Sequence, residues 1–104
     1  MQDKKSNTIN IELTEEVAEG TYANFSIISH MPQEFIMDFV RIIPNTDKAK
    51  VKSRIIMTPQ HAKKLMMALR ENIKIYENVH GLIKEDNNNT PPIQFNPSST
   101  QGEA

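Results

Sequence analysis

The residues best suited to chemistry in this chain are three histidines and one carboxylate that lies among apolar residues. None of the histidines, His30, His61 and His80, has a second metal ligand at an i,i+4 spacing, and the chain contains no cysteine. This pattern excludes thiolate metal sites and matches no zinc-binding motif. We therefore expect no metal and no cofactor, and we interpret His30 and His61 as polar surface or structural residues.

Asp38 is the carboxylate with unusual surroundings, because it lies inside the apolar segment Phe35–Val40. A buried carboxylate must be hydrogen-bonded or paired with a cation. Lys52 or Arg54, on the next predicted strand, is the natural cross-strand partner. We therefore predict a structural Asp38, either exposed or paired across the strands. The alternative is a small enzyme in which Asp38 and His30 act as acid and base.

Other catalytic patterns are missing from the sequence. No serine lies in a Gly-x-Ser-x-Gly elbow, and three glycines are too few for a phosphate-binding loop. We therefore predict that the protein is not an enzyme and that it has no catalytic residues.

Cations are concentrated in the middle of the chain. Residues 41–74 hold nine Lys and Arg against two Asp and Glu, whereas both flanks are acidic and the net charge is −1. Within this region Lys50, Lys52 and Arg54 alternate with apolar residues, which predicts a half-buried strand with one basic face. Such a face can follow a phosphate backbone, although lysines on a strand also prevent edge-to-edge aggregation. The residues of this candidate nucleic-acid interface are Arg41, Lys48, Lys50, Lys52 and Arg54.

Hydrophobic periodicity predicts four strands. The first lies at residues 9–13, the second at 21–30, the third at 34–43 and the fourth, basic strand at 48–57. The short connections between them favour an antiparallel meander. Between the first two strands, Thr14 is expected to cap a short helical turn at 15–18.

One long helix is predicted from Pro59 to about His80. Thr58 supplies an N-cap, Pro59 suits the first helical turn, and Gly81 supplies the stop. Leu82 is expected to make the closing hydrophobic contact of a Schellman ending. Apolar residues recur at three- and four-residue steps and form a stripe that we expect to pack on the sheet: Ala62, Leu65, Leu69, Ile73 and Tyr76.

These elements predict an α+β fold, a four-stranded antiparallel meander followed by one long C-terminal helix packed on it. We expect a single domain at residues 9–83. The polar lead, 1–8, and the polar tail, 84–104, are expected to be disordered because they bury too little apolar surface. The N-terminus lacks the apolar core of a signal peptide, and no segment approaches the roughly 20 apolar residues of a membrane span. We therefore expect a soluble cytoplasmic protein with no membrane contact.

Association follows from the small size of the domain. A domain this small buries only about 60% of its unfolded surface and is marginal alone. The third predicted strand is apolar on both faces, as in a strand that is covered twice or that lies at an intermolecular contact. We therefore predict a non-enzymatic interaction module, a homodimer that also binds another macromolecule such as a protein partner. Either the third strand or the helix stripe is expected to supply the apolar contact. The alternative is a protein that binds single-stranded DNA or RNA through the basic face. The candidate interface residues are Ile36, Val40, Ile42 and Met66.

Several short segments together form a pattern that can be compared with known families. They are Gly20–Phe25, Ile28–His30, Glu34–Phe35, Asp38–Arg41, Arg54–Ile55, Thr58–Lys63, Asn72–Ile73 and Tyr76–Glu77. With these segments the chain resembles a family of small bacterial and archaeal proteins filed as a domain of unknown function. The resemblance extends from about Ile9 to Ile83 and implies a small stand-alone domain, without an activity, cofactor or catalytic residue to transfer. The tail after Lys84 lies outside it.

Overall fold

The computed structural model describes residues 7–85 and 93–96. The chain divides into two compact units between Met66 and Met67, a boundary that falls inside the long helix. The fold is α+β, with an antiparallel sheet and a long C-terminal helix, as predicted. Its elements are α1 (Glu15–Ala18), β1 (Phe25–Met31), β2 (Glu34–Ile42), β3 (Ala49–Met57) and α2 (Pro59–His80).

The sheet has three strands, in the order β1-β2-β3, and every pairing is antiparallel. The prediction of four strands is therefore wrong. Residues 9–13 form no strand, and the side chains of Ile9, Ile11 and Leu13 are exposed. Alternation predicts a strand only where a neighbouring strand and a packing surface are present, because β-propensity depends on that context.

Prolines lie in both turns of the sheet, as the sequence indicates. Pro32 lies in the two-residue loop between β1 and β2. In the second turn Pro44 precedes Asn45, whose φ is 64°, and the Thr46 amide donates to the Ile43 carbonyl at 3.3 Å. A proline followed by a residue with positive φ is the pattern of a type II turn. This turn leads the chain from β2 into β3.

Asn24 defines where β1 begins. Its backbone amide donates to the Val40 carbonyl at 3.0 Å. Its side-chain amide donates to the Ile42 carbonyl at 3.0 Å and accepts from the Ile42 amide at 2.8 Å. The side chain therefore takes the place of a strand residue and satisfies both backbone groups of Ile42. This explains why β1 begins after the predicted start of its strand.

A β-bulge interrupts β3. The pairing of β2 with β3 shifts by one residue between Phe39 and Val40, and Lys52 has no Cα partner in the ladder. Beyond an additional residue of this kind, each side chain of the strand lies on the face opposite to the one that simple alternation predicts. Lys50 and Arg54 consequently lie on opposite faces of the sheet, and the predicted single basic face is interrupted.

Burial within the described residues is confined to the central strand. Val40 and Asp38 are the two buried residues, and both belong to β2, which has a neighbouring strand on each side. Most apolar side chains of β1 and β3 are half-buried or exposed. The apolar burial that normally stabilises a domain, about 25 cal/mol per Å², is therefore small in the single chain.

The start of α2 confirms the predicted N-cap. The Thr58 hydroxyl accepts from the His61 amide at 3.1 Å, and the Thr58 carbonyl accepts from the Ala62 amide at 2.9 Å. Pro59 is the first helical residue, where its missing N–H has no intrahelical partner to lose. These residues fix the direction in which the chain leaves β3.

The end of α2 confirms Gly81 as the stop. Gly81 has φ of 92° and donates to the Glu77 carbonyl at 2.9 Å, the single bond of an αL ending. The Glu77 carboxylate also accepts from the Ile83 amide at 3.0 Å. Leu82 is largely exposed, so the predicted closing hydrophobic contact is wrong. The Glu77 side chain, and not an apolar contact, holds the residues after the helix.

α2 has no buried residue over its 22 positions. The apolar stripe that we expected to pack on the sheet carries large exposed side chains, among them Leu69, Ile73 and Tyr76. None of the helices in the described ranges is long and apolar enough to cross a membrane. The stripe is therefore a largely exposed apolar surface along α2.

The remaining predictions concern the ends of the domain. Thr14 caps α1 as expected, accepting from the Val17 amide at 3.3 Å. Most of the predicted disordered lead and tail lies outside the described residues. Their disorder, and the domain limits at 9 and 83, stay predictions.

Candidate functional site

The Asp38 carboxylate is paired across the sheet, as predicted. Asp38 and Arg54 are Cα partners, and the guanidinium donates from Nε to Oδ1 at 2.7 Å and from Nη2 to Oδ2 at 2.8 Å. Asp38 is only 1% exposed, whereas the Arg54 side chain is 45% exposed. The bidentate geometry satisfies a carboxylate that water does not reach.

The carboxylate also fixes the charge of its partner. Hydrogen bonding from Asp38, and secondly its negative charge, raise the pKa of Arg54 above its ordinary value. A raised pKa of a cation contributes stability that is complete below the ordinary pKa and is lost as pH rises through the raised one. For a guanidinium both values lie far above neutrality. Arg54 therefore stays charged around neutrality, and two of its donors are engaged within the chain.

The acid–base alternative fails on geometry. Asp38 pairs with Ile27, whereas His30 pairs with Phe35, so Asp38 and His30 lie on opposite faces of the sheet. The His30 ring stacks on Phe35 with centroids 5.4 Å apart. Two side chains on opposite faces cannot exchange a proton with one substrate. His30 therefore has a packing contact of the structural kind that we predicted.

The other two histidines lie in α2. His61 occupies the first turn, and the His80 ring lies 4.6 Å from that of Tyr76 at the end of the helix. Among residues 7–85 and 93–96, no three His, Asp or Glu side chains are grouped as a metal ion requires. The described histidines therefore have separate environments.

We name the two sheet surfaces by one residue each. Residues that pair with one another share a face, because side chains alternate along every strand. The Asp38 face comprises Phe25, Ile27, Ile36, Asp38, Val40, Ile42, Val51 and Arg54, and the Ile28 face comprises Ile28, His30, Phe35, Met37, Phe39, Arg41, Lys50 and Ile55.

The predicted cations separate between these surfaces. Arg41 and Lys50 are Cα partners on the Ile28 face, and the Arg41 guanidinium lies 5.9 Å from the centre of the Tyr22 ring. Arg54 lies on the Asp38 face, and Lys52 is the unpaired residue of the bulge. Lys48 belongs to the turn before β3. The structure therefore brings Arg41 and Lys50 together and sets Arg54 apart from them.

The Ile28 face combines an apolar row with this cationic pair. Ile28, Met37 and Ile55 pair in register and form a row across all three strands. Both outer members, Ile28 and Ile55, are exposed. Like charges directly opposite in a sheet repel, so Arg41 and Lys50 favour a negatively charged group on this face. The row of Ser26, Phe39 and Ser53 separates them from the apolar row.

The predicted interface residues have unequal exposure. Ile36, Val40 and Ile42 lie on the Asp38 face, where Val40 is buried within the chain and its neighbours are half-buried. Val40 therefore already has its packing partners, as expected for the middle of a central strand. Met66 is exposed on α2. Of the four residues, Met66 is the most accessible to a partner.

Two features of these surfaces are not indicated by the sequence. The bulge at Lys52 has no glycine or proline to mark it. The Asn24 clamp also has no local signal, because Asn24 and Ile42 are 18 residues apart. Asp38 lies opposite Arg54 and Val40 lies opposite Val51. Two steps along β2 therefore correspond to three along β3, so knowledge of both pairings would have been needed to predict the bulge.

The fold and these surfaces define a small α+β protein with an antiparallel sheet and an exposed apolar helix. Residues 1–85 match the sequence profile of a family described as "Protein of unknown function (DUF3467)". The chain belongs to this family, which confirms the resemblance to a family with a domain of unknown function. Comparison with curated proteins and with solved structures gave no match.

Proposed function

We propose that this protein is a non-enzymatic interaction module of the cytoplasm that forms a homodimer and binds a second protein. The observation that carries the proposal is the exposed apolar stripe of α2. A 22-residue helix without a single buried residue is rarely stable in isolation, because most helical stability comes from packing of an apolar face. Covering this stripe provides the missing packing.

The size of the apolar surface supports self-association. Leu69 is 56% exposed and Ile73 is 38% exposed, and Tyr76 continues the same stripe. The exposed Met66 lies at its flank. Contiguous exposed apolar residues of this kind mark interaction surfaces in soluble proteins. A second copy is the partner that is always present at the same concentration, and closed two-fold dimers are the commonest assemblies.

The Ile28 face supports binding of a second protein. Its apolar row runs across the sheet, and Arg41 and Lys50 are Cα partners four residues farther along β2 on the same face. A partner segment with apolar residues followed by a carboxylate would satisfy both features. We therefore propose this face as the surface for an acidic, partly apolar protein segment.

The nucleic-acid alternative has less support from the geometry. Of its five predicted residues, Arg54 is engaged by Asp38 and lies on the other face of the sheet from Lys50. The remaining cations do not form one continuous basic strip that could follow a phosphate backbone. If the alternative holds, single-stranded DNA binds in low salt and the Lys50→Ala variant weakens that binding.

The proposal is tested by a matched pair of helix variants. Ile73→Glu places a charge in the stripe, whereas Ile75→Glu makes the same change two residues away, about 200° around the helix. Both isoleucines are exposed, at 38% and 54%. Light scattering at micromolar concentration should give a dimer for the wild-type chain and for Ile75→Glu, and a monomer for Ile73→Glu.

The opposite pattern would reject the stripe as the contact. Dimers that persist in Ile73→Glu and dissociate in Ile75→Glu would transfer the interface to another side of α2. A monomer in the wild-type chain would end the homodimer proposal.

A further inference from the structure

We infer that two copies of α2 pair antiparallel through one side of the helix, about a two-fold axis at the level of residue 71. This inference rests on the proposed homodimer and specifies its geometry. It follows from the order of apolar and charged residues along α2, all of which are described and none of which is buried.

The apolar residues follow a heptad pattern. Positions alternating by four and three residues give Ala62, Met66, Leu69, Ile73, Tyr76 and His80. Spacing of this kind forms a seam along one side of a helix, into which the residues of a second helix can pack. The large members at the centre of the seam are exposed.

The seam is symmetric when it is read in reverse. With the axis at the level of residue 71, Leu69 of one copy lies opposite Ile73 of the other, and Met66 lies opposite Tyr76. Ala62 then lies opposite His80. Each layer combines a smaller residue with a larger one, except at the centre, where two branched aliphatic residues meet. Such alternation fills space evenly.

The flanks of the seam favour the antiparallel orientation. One flank is charged and contains Lys63, Arg70 and Glu77, and the other is uncharged and contains Leu65, Asn72 and Val79. In an antiparallel pair the charged flank of one copy lies against the charged flank of the other, and the two uncharged flanks lie against each other. Lys63 then approaches Glu77 of the second copy at both ends, and Leu65 approaches Val79.

The parallel orientation mixes the flanks. There Leu65 would lie beside Arg70 of the second copy, and Lys63 would lose its acidic partner. It would also align the two helix dipoles in the same direction. The one unfavourable contact of the antiparallel pair is between the two Arg70 side chains at the centre. These are exposed and flexible, and two Lys63–Glu77 pairs offset them.

Cysteine cross-linking tests the orientation, because the natural chain has no cysteine. In the antiparallel pair, Met66 of one copy and Met66 of the other are separated by ten residues along the helix axis, about 15 Å. A disulfide requires Cα atoms within about 7 Å. Directly facing Cα atoms of helices packed 8–10 Å apart lie roughly 3.4–5.4 Å from each other, after subtraction of two Cα radii of about 2.3 Å. Met66→Cys should therefore cross-link to Tyr76→Cys but not to itself.

The experiment uses full-length Met66→Cys and Tyr76→Cys chains, one of them with an affinity tag, and diamide as the oxidant. Each variant oxidised alone should remain uncross-linked, whereas the equilibrated mixture should give a disulfide heterodimer as its main product. A second pair, Ala62→Cys with His80→Cys, repeats the test at the ends of the seam. That pair leaves the apolar centre intact, so a packing defect in Tyr76→Cys cannot mask the result.

Two results would overturn the inference. Efficient self-cross-linking of Met66→Cys would indicate parallel helices, and failure of both mixtures to cross-link in a chain of dimeric mass would exclude this pairing. In either case the homodimer itself survives. A wild-type chain of monomeric mass would reject the proposed function together with the inference, so the two failures are distinguishable.

Discussion

Replacing Arg54 by methionine should lower the free energy of unfolding more than replacing its partner, Asp38, by leucine. The substitution removes both hydrogen bonds to Asp38, at 2.7 and 2.8 Å, and leaves that carboxylate 1% exposed. Methionine keeps the unbranched apolar part of the side chain, so the change chiefly removes the guanidinium.

The expected magnitude follows from the burial of Asp38. A buried carboxylate that loses its partner costs about 3–5 kcal/mol of stability. Because water already reaches the outer part of this pair, the Asp38 penalty belongs at the lower end, about 3 kcal/mol. With a urea dependence of about 1.5 kcal/mol per molar for a small domain, the unfolding midpoint should fall by roughly 2 M.

The reverse substitution should be milder. Asp38→Leu leaves Arg54 without its carboxylate, but that side chain is 45% exposed and water can solvate it. Leucine also suits a buried position on β2, beside Val40. The double variant Asp38→Leu, Arg54→Met should recover most of the stability lost in Arg54→Met, because an apolar pair can replace a buried ion pair.

Urea unfolding followed by far-UV circular dichroism measures all three variants, with Lys50→Met as the control for loss of an exposed cation on β3. Lys50→Met should leave the midpoint nearly unchanged. If Asp38→Leu is as damaging as Arg54→Met, or if Arg54→Met leaves the midpoint unchanged, the assignment of the penalty to an unpaired buried carboxylate is wrong.

Further predictions concern the sheet edge, the helix start, the dimer and pH. Asn24→Ala removes two hydrogen bonds to Ile42 and should cost about 1–2 kcal/mol in urea unfolding, whereas a loss near zero would mean that water replaces the clamp. Thr58→Ala should cost about 1 kcal/mol and Thr58→Ser much less, since serine retains the capping hydroxyl; equal losses would exclude the cap. Arg70→Gln should tighten the dimer severalfold in a dilution series by removing the central repulsion, and weaker association would count against the antiparallel pair. The contribution of Arg54 should not change with pH around neutrality, because its raised pKa lies far above that range; a midpoint difference from Arg54→Met that varied between neutral and mildly alkaline pH would contradict this.

The sequence predicts best those features that depend on neighbouring residues. The ends of α2 follow from Thr58, Pro59 and Gly81, whose capping roles need only the adjacent turn. The pairing of Asp38 with a basic residue of the next strand follows from the cost of burying a charge. Both predictions use a local rule and one strong energetic penalty.

Features that depend on distant parts of the chain were predicted less well. Residues 9–13 alternate like a strand but have no strand beside them in the sheet. The bulge at Lys52 is a shift in the register between β2 and β3. Because of this shift, Lys50 lies on the face opposite Arg54. A period of two in one strand cannot reveal that shift, since the shift depends on which residues of β2 lie opposite.

Sedimentation velocity of the wild-type chain over a dilution series measures whether a second copy covers the apolar stripe of α2. We expect one species of twice the 11.9 kDa chain mass at micromolar concentration, with dissociation on dilution. A mass of 11.9 kDa at every concentration would show that no second copy covers the stripe.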